Sequence, residues 1–214
     1  MLSSRSLRLS VLVPFGLVAA AAIAHPHVTR KIELALTPGK IAVQYFTVPY
    51  NESHIGAVPS GYLWHLGFAT VEIDGAVTAG GEKVAPGKYH LFAQQTAEKT
   101  WSLALIPQGA GRTIAGIGFQ AFAEKDEAKR KDLVDKMNAT ATGKIPLKTE
   151  YHRGGGTKTE HLAITIEDIG QNFGELQQGG KAGDKSIGRD FVLHVDFGDL
   201  HGSVAFAEPA AAGG

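Results

Sequence analysis

The chain has 214 residues, with 21 Lys and Arg balanced by 21 Asp and Glu, nine His and no Cys. A hydrophobic content of 43% with 20% charged residues is typical of a globular protein, and this length suffices for one hydrophobic core. The zero net charge gives no electrostatic reason to expect nucleic acid as a partner. The absence of Cys excludes disulfides, thiol catalysis and cysteine-based metal sites.

Residues 1–24 are predicted to be a signal peptide. Arg5 and Arg8 form a basic start, an apolar stretch follows, and Ala22 and Ala24 are the small residues that signal peptidase requires. The apolar stretch is shorter than the roughly 20 residues of a membrane-spanning helix. We therefore expect cleavage near Ala24 and export to the periplasm or the medium, with no membrane span in the remaining chain.

Short alternating segments separated by Gly and Pro turns make up most of the remaining chain. They are residues 32–36, 41–46, 62–66, 69–73, 89–93, 100–106, 162–166, 191–197 and 203–206. The first two are joined by a Thr-Pro-Gly-Lys turn and are expected to form a hairpin. This pattern predicts an all-β fold, a single-domain antiparallel β-sandwich of about 8–10 strands.

One segment, over about 122–137, has the pattern of an inserted helix instead. Its charges pair at i,i+4 as on an exposed helix face: Asp126 with Arg130, Glu127 with Lys131, and Asp132 with Lys136. We expect this helix to lie on the sandwich and not to form a second domain. The predicted organisation is a signal peptide, a β-sandwich domain over 25–206 and a flexible tail over 207–214.

Several stretches resemble a family of exported bacterial proteins known as domain of unknown function twenty-nine eleven. They are Pro26-His27, the Trp-His-Leu-Gly box at 64–67, residues 84–92 (VAPGKYHLF), Trp101-Ser102-Leu103, and residues 191–194 and 204–206. The resemblance covers roughly residues 26–107 and 160–206. It implies export and a β-sandwich, and it implies no known activity.

This chain departs from that family within the Trp-His-Leu-Gly box. The family carries Trp-Arg-x-Gly-Ala, then Asn or Asp, then Glu, whereas here His65, Ala69 and Thr70 stand in place of the Arg, the Asn or Asp, and the Glu. If the family's polar trio has a role, this chain has lost it or has replaced it with one that uses His65.

The histidines indicate a candidate metal site, since imidazole is the commonest ligand for zinc and copper. After cleavage, His25 would be the terminal residue, and His27 follows Pro26, which has no amide proton to lose and so excludes the usual amino-terminal copper motif. His54 and His65 are candidates for the same pocket. The alternatives are a frayed terminus for His25 and His27, and an ordinary hydrogen-bonded histidine for His65.

The last two strands indicate a second polar cluster. If Gly198-Asp199 form a two-residue turn, Asp196 lies opposite His201 and His194 lies opposite Ser203 on one face. A hydrolase site is not expected, because no nucleophile turn such as Gly-x-Ser-x-Gly is present. A solvated polar face is the favoured interpretation, and Asp196 would support a His ligand if metal bound there.

Three functions remain open at this point. The first is a non-enzymatic module that binds a small molecule or an envelope partner, since no complete catalytic motif and hence no catalytic residue is identified. Its ligand would lie on a concave face lined by Trp64, His65, Tyr89 and Trp101. The second is a copper or zinc protein with ligands from His25, His27, His54 and His65. A redox-active protein is one form of this hypothesis. The third is a purely structural or interaction role.

Overall fold

The computed structural model describes residues 28–36, 39–97, 100–154, 158–168 and 190–207. The predicted signal peptide, His25 and His27, and residues 208–214 of the predicted tail lie outside the described residues. Ala207, the first residue of that predicted tail, ends the last strand. Within these ranges, no helix combines the length and the apolar character needed to cross a membrane.

The described residues form twelve strands and three helices. The strands are β1 (Thr29–Leu36), β2 (Gly39–Phe46), β3 (Leu63–Ile73), β4 (Val77–Ala79), β5 (Glu82–Val84), β6 (Gly87–Ala97), β7 (Thr100–Pro107), β8 (Ile145–Leu147), β9 (Glu150–Arg153), β10 (Thr159–Asp168), β11 (Asp190–Gly198) and β12 (Leu200–Ala207). The helices are α1 (Glu52–Gly56), α2 (Gln108–Ala123) and α3 (Glu127–Thr140). The chain is therefore mostly β, as predicted.

The strands form two antiparallel sheets. Sheet 1 has the order β1-β2-β3-β6-β7-β8. Sheet 2 has the order β10-β11-β12-β4-β5, and β9 also pairs with β12. The predicted first hairpin is confirmed, with Leu36 opposite Gly39 across the β1–β2 turn.

The two strands predicted at 62–66 and 69–73 are one strand, β3, with an irregularity in the middle. Its pairing with β6 shifts register between His65 and Thr70. Gly67 and Phe68 both have positive φ, 51° and 54°. A Cβ on Gly67 would lie 2.2 Å from the carbonyl oxygen of Phe46, so only Gly fits there. The bulge turns Phe68 outward, where its side chain is 48% exposed.

The single helix predicted over 122–137 requires correction, because two helices occupy this part of the chain. The Asp126 carboxylate accepts a hydrogen bond from the Lys129 amide at 3.0 Å, which starts α3 at Glu127 and separates it from α2. The earlier helix, α2, was missed because four glycines give it a low helix propensity. It is stabilised by burial instead, with Ile114 and Ala121 no more than 1% exposed.

Both faces of sheet 1 are covered over its central strands. On one face, α2 and α3 pack against the sheet: the Leu63 amide lies 3.2 Å from the Met137 sulfur, and the Tyr62 hydroxyl donates to the Gly118 carbonyl at 2.9 Å. On the other face, side chains meet sheet 2, where the Tyr45 hydroxyl donates to the Ile164 carbonyl at 3.3 Å. Side chains from both sheets and from the helices form one buried cluster.

Candidate functional site

A cavity of about 280 Å³ lies beside the bulged strand β3, between α1 and α2. Its walls are mainly apolar and aromatic, and His54 from α1 and His65 from β3 are the imidazoles that line it. Trp64 and Phe68 also come from β3, and Ala115 and Phe119 come from α2. This volume is just below the range of roughly 300–1,000 Å³ for small-molecule sites, which suits a ligand of one or two rings.

Four exposed phenylalanines, two that line this cavity and two that contact residues lining it, form a group that we call the aromatic rim. They are Phe46, Phe68, Phe119 and Phe122, with 38%, 48%, 63% and 40% of their surface exposed. Three of them form a chain of ring contacts, with centroid distances of 6.3 Å between Phe46 and Phe68 and 6.1 Å between Phe68 and Phe119. Clustered exposed aromatic groups are characteristic of binding surfaces.

His54 lies at the same edge as the aromatic rim. Asn51 precedes α1 and accepts hydrogen bonds from the Ser53 and His54 amides, which fixes the start of this short helix. Ile55 anchors the helix in the core, and the preceding side chain, His54, is exposed. Its ring meets the Phe122 ring edge-on at a centroid distance of 5.3 Å. His54 therefore offers a polar group beside apolar walls.

His65 is paired with a second histidine, His90, on the neighbouring strand β6. Nδ1 of His90 lies 3.0 Å from Nε2 of His65, which also lies 3.3 Å from the Ala69 carbonyl oxygen. The Phe92 ring stacks on His65 with centroids 4.6 Å apart. The other ring nitrogens, Nδ1 of His65 and Nε2 of His90, are buried without a hydrogen-bond partner in the described part of the chain.

This pair is uncharged at neutral pH. Burial, together with the neighbouring His90, lowers the pKa of His65 to about 4. Burial also lowers the pKa of His90, and the charge of Arg112 acts in the same direction. His65 therefore contributes a neutral aromatic wall to the cavity at pH 7, not a cation.

The four side chains predicted to form one ligand surface are only partly brought together. Trp64 and His65 line the 280 Å³ cavity. Trp101 lies 6.3 Å from Trp64 between ring centroids, and both line a space of about 40 Å³ between the sheets. Trp101 does not line the 280 Å³ cavity, but it lines another of about 460 Å³. Tyr89 lines none of these three cavities, and its hydroxyl donates to the Ala85 carbonyl at 2.8 Å.

The predicted metal ligands are also divided. His54 and His65 line one cavity, while His25 and His27 are outside the described residues. Among the described residues, no group of three or more His, Asp or Glu is placed to hold a metal ion. The sequence analysis missed His90, which lies 25 residues from its partner. A prediction that β3 pairs with β6, in the correct register, would have been needed to find the contact between His65 and His90.

The predicted pairing in the last hairpin is confirmed. Asp196 lies opposite His201, and His194 lies opposite Ser203, across β11 and β12. Nδ1 of His201 is 2.6 Å from the Asp196 carboxylate, and Nε2 of His194 is 3.1 Å from the Glu167 carboxylate. These polar side chains belong to sheet 2 and do not line the 280 Å³ cavity. Phe197 is the residue of sheet 2 that lines it.

Comparisons with known proteins do not assign this site. No family model matches the chain, and no curated protein matches it. Two similar solved structures are the viral serpin CrmA, at 10% identity over 80% of this chain with a TM-score of 0.17, and cleaved viral serpin CrmA, at 9% over 78% with a TM-score of 0.16. The chain spans about 60% of the first serpin chain and 57% of the second.

Proposed function

We propose that this protein is an exported, non-enzymatic binding module that takes a small, mostly apolar molecule into the 280 Å³ cavity beside β3. The observation that carries the proposal is the combination of a preformed cavity with the aromatic rim around it. Leaving four large aromatic side chains exposed at one place forgoes hydrophobic stabilisation that burial would provide. A bound apolar ligand would cover part of that surface.

The chemistry of the walls narrows the ligand class. Phe68, Phe119 and Trp64 offer ring faces and edges to a flat aromatic or short acyl body. His54 is the exposed polar group at the rim, and its imidazole can exchange a hydrogen bond with a ligand hydroxyl or carbonyl. His65 is neutral at pH 7, so it contributes no positive charge that would attract an anionic ligand to the cavity.

The fold and the export belong to the same proposal. We propose that the two sheets pack as the β-sandwich expected from the sequence, which the edge-on contact of Trp64 with Phe197 at 6.0 Å and the Tyr45 hydrogen bond to Ile164 support. The signal pattern of residues 1–24 supports export, and the stretch at 84–92 supports the family resemblance.

A matched pair of α2 variants tests the cavity directly. Ala115 lines it, whereas Ala123 on the same helix is exposed and does not. Calorimetric titration with 2-naphthol should show one saturable site in the wild-type protein. Ala115→Leu should weaken binding at least tenfold, which corresponds to about 1.4 kcal/mol, because the larger side chain fills the cavity. Ala123→Leu should bind as the wild type does.

The role of His54 is tested by comparing two ligands. His54→Ala should lower the affinity for 2-naphthol, which has a hydroxyl group, and leave the affinity for naphthalene unchanged. Absence of saturable binding by the wild-type protein, or equal binding by Ala115→Leu and Ala123→Leu, would contradict the cavity proposal.

The alternative proposal is a copper or zinc site using His54 and His65, with His25 and His27 as further ligands. The observation in its favour is that His54 and His65 line the same cavity. Zinc content that falls when His65 is changed to Ala, with 2-naphthol binding absent from the wild-type protein, would support this alternative over the binding module.

A further inference from the structure

Three strands of sheet 2 place an aspartate and two histidines side by side. Asp196 on β11 is opposite His201 on β12, and His201 is opposite His152 on β9. Directly opposed residues of antiparallel strands project to the same face, with Cβ atoms about 4.5–5.5 Å apart. The three side chains therefore form a row across the sheet, separate from the residues that line the 280 Å³ cavity.

The contact with Asp196 orients the His201 ring through its Nδ1 atom. The Asp196 carboxylate accepts a hydrogen bond from Nδ1 of His201 at 2.6 Å. A neutral imidazole that donates through Nδ1 keeps its lone pair on Nε2. Metal-binding histidines are oriented in this way by a carboxylate on the other ring nitrogen.

Nε2 of His201 is buried and has no hydrogen-bond partner in the described part of the chain. A buried polar atom without a partner costs on the order of 1–3 kcal/mol, so such atoms call for an explanation. This nitrogen is the one whose lone pair the Asp196 contact leaves available. A ligand that accepts electron density, such as a metal ion, would satisfy it.

The imidazole of His152 lies next to the His201 ring. The rings of His152 and His201 are stacked, with centroids 5.5 Å apart and planes 23° from parallel. His152 is exposed, so its ring is free to turn about its side-chain bonds. In the stacked arrangement the in-plane lone pairs of the two rings run nearly parallel, so the His152 ring must turn before both imidazoles can bind one ion at the usual metal–nitrogen distance of about 2.0–2.1 Å.

We propose that His152 and His201 bind a divalent ion of the zinc and copper class, with Asp196 as the positioning residue. The two imidazole nitrogens supply two ligands, and water completes the coordination at this partly exposed face. A ligand set of imidazoles, with no thiolate and no cluster of carboxylates, favours zinc and copper over calcium and magnesium. This site is independent of the proposed cavity ligand, since none of its three residues lines the 280 Å³ cavity.

Zinc titration against a chromophoric chelator tests the proposal. The full-length protein carries His25→Ala and His27→Ala as a common background, so that these two imidazoles do not contribute. In that background, one equivalent of zinc should bind, and His201→Ala or His152→Ala should abolish it. Asp196→Asn should weaken binding by about 10–100-fold, and Asp196→Glu should restore part of the affinity.

His194→Ala is the matched control, because His194 lies on β11 two residues from Asp196 but contacts Glu167. It should bind zinc like the background protein. The metal-free Asp196→Asn variant should still unfold in a single thermal transition, with a midpoint lowered by only a few degrees through loss of the His201 contact, which distinguishes positioning of the ligand from loss of fold. Unchanged zinc affinity in both His201→Ala and His152→Ala, or equal loss in His194→Ala, would overturn the proposal.

Discussion

The burial of His65 makes the stability of this protein depend on pH. Its pKa in the folded state is lowered to about 4, whereas an unfolded histidine has a pKa of about 6.5. Below pH 6.5 the unfolded chain binds a proton that the folded protein does not, so folding stability falls as the pH drops from about 6.5 to about 4. Above pH 6.5 this residue makes no difference to the pH dependence.

We expect His65→Gln to reduce this acid sensitivity. Between about pH 7.5 and pH 5, the wild-type protein should lose on the order of 2 kcal/mol of unfolding free energy through His65. Urea unfolding at the two pH values, for the wild type and the variant, measures the difference. His152→Gln, at an exposed position of sheet 2, is the control. Equal acid sensitivity of wild type and His65→Gln would contradict the prediction.

Asp199 connects three parts of the chain through its carboxylate. It accepts hydrogen bonds from Nε of Arg153 at 2.8 Å and from the Tyr50 hydroxyl at 3.1 Å. The hydrogen bond from Arg153 is the main cause that lowers the pKa of Asp199. The stability that this contact contributes is therefore present above the usual aspartate pKa of about 3.9, and it is lost as the pH falls through the lower folded value.

Asp199→Asn should lower the unfolding free energy by about 1 kcal/mol at neutral pH, because the charge-assisted bond is lost at a partly exposed site. Thermal unfolding at pH 7 and at about pH 3 measures this. The difference from the wild type should shrink at the lower pH. Asp74→Asn, at an exposed turn, should have little effect at either pH. A variant difference that persists at the lower pH would argue against the ionic contact.

At the scale of elements, α2 packs closely against sheet 1 because a glycine, Gly111, lies at the contact. A Cβ on Gly111 would lie 2.3 Å from Cδ2 of His90, so no larger residue fits without a shift. A Cβ on Gly116, in the same helix, would meet no atom within 4 Å. The absence of a side chain at Gly111 therefore lets the α2 backbone pack directly on His90.

These two glycines should therefore respond in opposite directions to alanine. Gly111→Ala should destabilise the protein by about 1–3 kcal/mol through overpacking against His90. Gly116→Ala should stabilise it by about 0.5–1 kcal/mol, because alanine has the higher helix propensity. Chemical denaturation of both variants is the measurement. Destabilisation by both, to a similar extent, would mean that helix packing at Gly111 is not the cause.

At the scale of the whole molecule, the two sheets and the helices share one buried cluster. Residues of α2 and α3, such as Ile114 and Met137, belong to the same cluster as Phe191 and Phe206 of sheet 2. No separate core is available to keep one part of the described chain folded when another unfolds. We therefore expect unfolding to be cooperative.

Far-UV circular dichroism and tryptophan fluorescence should then give coincident urea transitions. Both tryptophans, Trp64 and Trp101, are on sheet 1, whereas circular dichroism reports on both sheets and the helices. Coincident midpoints would show that the whole described core unfolds together. A circular dichroism transition separated from the fluorescence transition would show that the helices or sheet 2 unfold independently.

The amino-acid sequence by itself determined the strand-rich character and two hairpins, β1–β2 and β11–β12. Alternation of side chains and turn residues such as Gly and Pro act over a few neighbouring positions, so the β1–β2 turn and the Asp196–His201 pairing could be predicted. The same local rules failed for α2, whose glycines disfavour a helix. Its stability comes from burial against strands that are distant in the sequence.

Only the tertiary structure decided which histidines meet and where a ligand could enter. His65 meets His90 because β3 pairs with β6, and His201 meets His152 because β9 pairs with β12, contacts set by strands far apart in the chain. The cavity depends on the bulge at Gly67 and on the position of α2 above it. Such features follow from packing between distant segments, and local patterns carry no information about that packing.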